Sequence, residues 1–133
     1  MAGGAERLLT RSSGSVPRWS PDGRSVAFSA DRNYAGGVFV IGSDGTGERR
    51  LTDRGGWPVW WPDGRRIGYR IIGSDGNQQM VAVPVEGGES APIGAFKFNG
   101  ANEPFDISRD GSMVATTDSA HVSDEIWLLQ PGR

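Results

Sequence analysis

The sequence has no cysteine, a single histidine (His121) and a single lysine (Lys97) among its 133 residues. The lack of cysteine excludes a disulfide framework, cysteine-ligated metal sites and thiol catalysis. No apolar run approaches the roughly 18 residues that a membrane-spanning helix needs, so no membrane span is expected. Residues 1–14 lack the apolar core of a signal peptide, so no signal peptide is expected either.

An excess of charge is lacking as well. Fourteen Lys and Arg residues stand against sixteen Asp and Glu residues, which gives a formal net charge of −2. Proteins that bind phosphates present a broad positive field, so nucleic acid is not an expected partner. The doublets Arg49-Arg50 and Arg65-Arg66 are interpreted as solvated faces, with contact to a carboxylate of a partner protein as the alternative.

Glycine and proline, in contrast, are abundant, with 21 and 8 residues respectively. Both residue types mark turns, and the segments between them are rich in aromatic and β-branched residues, which is typical of short strands. No stretch sustains the apolar periodicity of a helix. We therefore predict an all-β fold with strands near 17–20, 25–29, 38–42, 48–52, 58–61, 66–71, 79–84, 104–107, 113–117 and 125–129.

One phrase is repeated along the chain. WSPDGR at 19–24 returns as WWPDGR at 60–65, and more weakly as ISRDGS at 107–112. Each copy is followed by two short apolar segments, and ERLLT at 6–10 is matched by ERRLT at 48–52. A period of about 40–45 residues with four strands is the pattern of a β-propeller blade. Its strands are named A to D from the axis outward.

The segment WSPDGRSVAF, followed by VFVIGSDGTGERRLT, resembles the TolB-like, WD40-like bacterial β-propeller repeat. The third copy is similar to the terminal blade of such proteins, with Arg109 in place of the usual Pro and Ser112 in place of Arg. Members of this group serve as periplasmic scaffolds, as domains fused to kinases or regulators, and as gating domains of serine peptidases. The resemblance implies a periplasmic or other extracytoplasmic location, and it transfers no functional site.

The repeats predict one partial propeller domain over 1–133, with a strand D at 6–10 and blades at 16–53, 57–95 and 101–130. The last blade lacks its strand D, and three blades are fewer than the 4–8 of closed propellers. Two alternatives follow: the chain is the C-terminal half of a longer propeller, or it is half of a six-bladed assembly. In the second case a homodimer exchanges the N-terminal strands.

The alternation of apolar residues predicts a buried core between the blades. Its expected members are Trp19, Trp60, Val26, Ile67, Val114, Phe39, Val81 and Trp127. Replacement of Trp19 by Ala is expected to cost ~3–5 kcal/mol, as for other packed aromatic side chains. Trp57 and Trp61 have no counterpart in the other copies, and we expect them to be exposed.

Residues for catalysis are scarce. His121 lies in a polar loop, DSAHVSD at 118–124, where a Ser–His–Asp triad would need adjacent loop residues to converge. GESAP at 88–92 lacks the second Gly of a nucleophile elbow. The segments at 42–48 and 73–78 are interpreted as hairpin turns rather than calcium loops. No catalytic residue, metal site or cofactor is predicted, and His121 is expected to be dispensable.

Two functions are compatible with this sequence. The first is a non-catalytic interaction module that binds a protein or peptide. The second is the substrate-gating propeller of a prolyl-oligopeptidase-type serine peptidase whose catalytic domain lies outside this chain. Insertions between blades often lie on a binding rim, and FKFNGANEPF at 96–105 is such an insertion. The candidates for binding are Trp57, Trp61, Phe96, Phe98 and Asn99.

Overall fold

The structure is a computed structural model that describes residues 4–30, 36–98, 105–118 and 125–130. These residues form eleven strands in three antiparallel sheets, and no helix occurs among them. Sheet I contains β1 (Ser15–Trp19), β2 (Ser25–Ser29), β3 (Val38–Gly42) and β4 (Arg49–Arg50). Sheet II contains β5 (Gly56–Trp60), β6 (Arg66–Ile72), β7 (Gln78–Pro84) and β8 (Ala91–Phe98). Sheet III contains β9 (Phe105–Ile107), β10 (Val114–Asp118) and β11 (Glu125–Leu129).

Strands that follow one another in sequence are neighbours in every sheet. This up-and-down order is that of a propeller blade, and it confirms the prediction of an all-β, partial propeller. Sheets I and II have four strands each, and sheet III has three within the described residues.

The repeated Asp-Gly phrase forms the turn between the first and second strands of each sheet. Gly23, Gly64 and Gly111 adopt φ of +71°, +71° and +74°, a conformation that glycine adopts without the strain of a side chain. In the first turn the hydroxyl of Ser20 and the backbone N–H of Arg24 donate to Oδ1 of Asp22, at 2.6 and 3.0 Å. The repeated Asp-Gly segment therefore forms a turn that is stabilised by its own hydrogen bonds.

A bulge recurs at the start of sheets I and II. Val16 and Trp57, which are equivalent positions of the first two repeats, have φ of +52° and +58°, and each precedes a proline. The strand register shifts at both places, between Ser15 and Arg18 and between Gly56 and Val59. Side chains rarely adopt positive φ, so the fold imposes this conformation twice. Strands β1 and β5 consequently begin slightly before the predicted positions.

Two apolar cores join the three sheets. The first, between sheets I and II, contains Ala27, Val38, Val40, Trp60, Ile67, Tyr69, Val81 and Val83. The second, between sheets II and III, contains Val59, Trp61, Met80, Ala82, Ile93, Phe105, Ile107 and Val114. Gly68 faces the second core, where an added Cβ would lie 3.1 Å from Trp61 and 3.3 Å from Phe105. A small residue at this position allows the sheets to approach.

The burial predictions for Val26, Trp60, Ile67, Val81 and Val114 are confirmed, since all five are at most 9% exposed. The prediction for Trp19 is wrong: its side chain is 63% exposed because no sheet precedes sheet I in the described residues. Phe39 is half-buried, and the side chain of Trp127 lies outside the described residues.

Three strand predictions also need correction. Residues 6–10 form no strand, since no described strand pairs with them. The predicted strand at 48–52 is reduced to Arg49–Arg50, and Ala91–Phe98 is a strand that was not among the predicted ones.

Candidate binding surface

A cleft of about 500 Å³ opens between the Asp-Gly turns of sheets I and II. Its lining contains Ser20, Pro21, Asp22, Trp60, Pro62, Asp63 and Val85. The two walls are copies of the same turn in successive repeats, so the repeat itself generates the cleft. A volume of this size lies within the range of ligand sites in proteins, about 300–1,000 Å³.

Trp60, which lines the cleft, is 9% exposed. Its indole N–H donates to the backbone carbonyl of Arg18 in sheet I at 3.0 Å. A buried indole normally needs such a partner, and here the partner belongs to the neighbouring sheet. The tryptophan therefore sets the position of one wall relative to the other.

The cleft is acidic because each wall contributes a carboxylate. The pKa of Asp22 is lowered by the hydroxyl of Ser20 and, next, by the backbone N–H of Arg24, so this group is ionised near neutral pH. Asp63 accepts the backbone N–H of Arg65 at 2.9 Å. Two carboxylates beside an aromatic and two prolines suit a ligand that joins a cation to an apolar stem.

A second cleft, of about 450 Å³, lies between Leu51–Arg54 and sheet II. Tyr69, Ile71, Gln79, Val81, Ser90 and Pro92 are among its lining residues. The hydroxyls of Tyr69 and Ser90 are 2.5 Å apart and hydrogen-bonded. Asp53 and Arg54 also line this cleft, so it contains charges of both signs, whereas the charged residues that line the first cleft are both aspartates.

The residues singled out from the sequence lie elsewhere. Trp57 is half-buried, and its backbone N–H donates to Oγ of Ser29 at 2.9 Å. The exposure predicted for Trp61 is wrong: its ring is 3% exposed, and the guanidinium of Arg66 lies 4.4 Å from its centre. Neither tryptophan lines the two clefts.

Three candidates cannot be placed. Phe96 and Phe98 belong to β8, but their side chains lie outside the described residues, as does Asn99. Asp22 and Asp63 were not predicted as site residues, because each was assigned to a turn. The signal that could have found them is the repeat, since adjacent blades bring equivalent turns together.

A buried cation was also missed. Arg70 is 1% exposed, and its Nη1 donates to Oε1 of Gln78 at 3.2 Å. Its guanidinium lies 5.6 Å from the centre of the Phe105 ring, so it links sheets II and III through a cation–π contact. This position supports a structural role at the blade interface.

His121 lies outside the described residues, so its dispensability stays a prediction. Within the described ranges, no group of three or more His, Cys, Asp or Glu residues is arranged to hold a metal ion. A search of the same residues finds no helix with the length and apolar character to cross a membrane.

No family model matches the sequence. Among curated proteins, the peptidase YuxL of Bacillus subtilis is 44% identical over 55 residues, which cover 38% of this chain and 8% of that protein. Dipeptidyl-peptidase 5 of Porphyromonas endodontalis is 27% identical over 129 residues, which cover 90% of this chain and 18% of that protein. The chain thus spans less than a fifth of each of these relatives.

Solved structures agree on the architecture. A TolB-type protein of Agrobacterium tumefaciens matches with a TM-score of 0.78 and 26% identity, over 96% of this chain and 50% of that one. TolB of Acinetobacter baumannii matches with a TM-score of 0.75 and 19% identity, over 93% of this chain and 31% of that one. The propeller of the Trilobed protease of Pyrococcus furiosus matches with a TM-score of 0.66 and 17% identity, over 89% of this chain and 38% of that one. The chain therefore has the fold of a TolB-like β-propeller, of which its three sheets form a part.

Proposed function

We propose that this chain is a non-catalytic interaction module that binds a protein or peptide through a basic side chain. The observation that carries the proposal is the cleft lined by Trp60 and by two aspartates, Asp22 and Asp63, from the turns of two adjacent sheets. An arginine of the partner would place its guanidinium between the carboxylates and its methylene stem against the indole and the prolines. Charge-assisted hydrogen bonds of this kind are among the stronger ones in proteins.

The proposal is tested with two short fluorescent peptides that differ only in a central arginine or its neutral analogue citrulline. Anisotropy gives the affinity of each for the purified chain. We expect the arginine peptide to bind more tightly than the citrulline peptide. In the double variant Asp22→Asn, Asp63→Asn the affinity for the arginine peptide should fall by about tenfold, the equivalent of 1.4 kcal/mol. Higher salt should weaken binding as well, because the cleft is open to solvent.

Asp44→Asn is the matched control. Asp44 also caps a turn, with its Oδ1 accepting the N–H and hydroxyl of Thr46 at 3.0 and 2.7 Å, but it lies outside the cleft. This variant should bind as the unchanged chain does. Equal affinity for the two peptides, or equal losses in the control and the double variant, would refute the acidic cleft as the binding site.

A second candidate is the gating propeller of a serine peptidase. It is favoured by the names of the two curated relatives, both peptidases, and by the 90% of this chain that the longer match covers. Peptidase propellers are also among the structural matches, although at 11% identity for an acylaminoacyl peptidase this concerns the fold alone. In this role the module would filter substrates by size and would retain no particular peptide.

The two candidates differ in what the native polypeptide contains. An antibody against this chain, applied to extracts of its source cells, gives the mass of that polypeptide. A fluorophosphonate probe then shows whether the same band carries an activated serine. A labelled band much heavier than 14.2 kDa would favour the gating role, and an unlabelled band would favour the interaction module.

A further inference from the structure

Residues 6–10 contact sheet I in the same way that residues 48–52, which include β4, contact sheet II. Arg49 donates to the backbone carbonyl of Val85, in the turn before β8. Arg7 donates in the same way to the carbonyl of Ser43, in the turn before β4. Arg7 precedes Arg49 by one repeat, and Ser43 precedes Val85 by the same interval, so the two contacts are repeats of each other.

The apolar contacts repeat with the same spacing. Leu51 packs against the core between sheets I and II. Leu9, its equivalent in the preceding repeat, packs against Val26, Phe28 and Ile41 on the opposite face of sheet I. Residues 6–10 therefore occupy the position of the outermost strand of a sheet that would precede sheet I. They form no strand because the described residues contain no such sheet.

Trp19 indicates the same missing neighbour. By strand register it is equivalent to Trp60, since Trp19 pairs with Val26 and Trp60 pairs with Ile67. Trp60 is 9% exposed because it packs under sheet I and donates to Arg18, whereas Trp19 is 63% exposed. Trp19 thus lacks the sheet against which its equivalent packs.

Sheet III, at the other end of the described chain, also lacks a neighbouring sheet. Ile126 and Leu128 pair with Thr117 and Ala115, as Val38 and Val40 pair with Ser29 and Ala27. The two valines are 0% and 5% exposed in the core against sheet II, whereas Ile126 and Leu128 are 74% and 66% exposed. Within the described residues, no fourth strand covers the free edge of β11.

We propose that the sheet that precedes sheet I is sheet III of a second copy of this chain. Residues 6–10 of one copy would pair with β11 of the other, and Ile126 and Leu128 would pack beneath Trp19. The indole of Trp19 would donate to the backbone carbonyl of Asp106 of the second copy, because Asp106 is the register equivalent of Arg18.

This arrangement uses the contact that already joins sheets I and II, so it needs no new type of interface. Two copies give six sheets, which lies within the 4–8 of closed propellers. A two-fold axis makes both junctions identical and pairs the free edge of β11 in each copy, as expected for a closed dimer. The chain matches 50% of the Agrobacterium TolB-type protein, so two copies carry the content of one such chain. The proposal does not depend on the ligand of the acidic cleft.

Sedimentation velocity of the full chain over a range of concentrations tests the proposal. We expect a species of twice the chain mass of 14.2 kDa that dissociates on dilution. Leu128→Arg and Trp19→Ala should each raise the dissociation constant at least tenfold, and removal of residues 1–10 should have the same effect. The first two changes affect exposed side chains, so each variant should keep the circular dichroism of the unchanged chain.

Ile72→Arg is the control, since Ile72 is also an exposed apolar residue, at 49%, but lies in sheet II. It should leave the dissociation constant unchanged. The proposal would be overturned by a monomer at all concentrations, by an open ladder of higher oligomers, or by equal effects of Ile72→Arg and Leu128→Arg.

Discussion

The indole N–H of Trp60 donates to the backbone carbonyl of Arg18 at 3.0 Å and thereby connects the sheets of two successive repeats. The bond runs from the innermost strand of one sheet to the innermost strand of the preceding one. It holds the indole ring of Trp60, which lines the acidic cleft, between the two sheets. The same contact, repeated at Trp19, is the basis of the proposed dimer.

The first prediction concerns these two tryptophans. In dilute solution, Trp60→Ala should lower the free energy of unfolding by about 3–5 kcal/mol, because a packed aromatic ring is removed from a core. Trp19→Ala should change it by no more than about 0.5 kcal/mol, as for other exposed positions. Urea denaturation of both variants gives the comparison. A larger loss for Trp19→Ala would show that this ring is packed within the single chain.

The second prediction uses two glycines with positive φ. Gly37 has φ of +86°, and a Cβ there would lie 2.0 Å from the carbonyl oxygen of Thr52. Gly76 has φ of +78° with no atom within 4 Å of such a Cβ. Gly37→Ala should therefore destabilise the chain by about 1–3 kcal/mol more than Gly76→Ala, since only the first adds a steric clash to backbone strain. Similar melting temperatures would contradict the close approach of Gly37 to Thr52.

The third prediction is a pH dependence at the third Asp-Gly turn. The hydroxyls of Ser108 and Ser112 donate to Asp110 at 2.6 and 2.7 Å, and they lower its pKa from 3.8 to about 2. A carboxyl whose pKa is lower in the folded state stabilises that state above the unfolded pKa. This contribution should be complete above about pH 4 and should be lost as the pH falls towards 2.

Acid unfolding of Ser108→Ala checks this dependence. The variant lacks the donor with the largest effect on Asp110, so its stability should change less between pH 4 and pH 2. Ser112→Ala should show a smaller change in the same direction. Identical acid titrations of the variants and the unchanged chain would mean that the turn does not couple Asp110 to folding.

The strand order and the core of sheets I and II could be predicted because the repeated residues determine both the turns and the buried positions. The Asp-Gly turn sets the hairpin, and the alternation in β2 and β6 assigns Val26 and Ile67 to buried faces. The exposure of Trp19 could not be predicted, because burial in a propeller depends on the sheet beside a residue. The sequence around Trp19 and Trp60 is nearly the same, and only the second has a preceding sheet in the described part of the chain.

Trp61 illustrates a second limit. It occupies the position at which Ser20 and Ser108 donate to the aspartate of their turns. An indole cannot make the same short contact, and its ring instead lies against sheet III, close to the backbone of Gly111. A sequence comparison shows the substitution but not the direction of the ring. The acidic cleft was missed for a related reason, since it requires two turns to be seen together.

The most direct test of the repeated tryptophan contact is the quenching of Trp19 fluorescence by acrylamide. The difference in fluorescence between the unchanged chain and Trp19→Phe gives the emission of Trp19 alone. In dilute solution and in Leu128→Arg, the Trp19 emission should be quenched freely, as its 63% exposure requires. In concentrated unchanged protein it should be protected, because a second copy covers the indole. Equal quenching in the unchanged chain and in Leu128→Arg at every concentration would contradict the account.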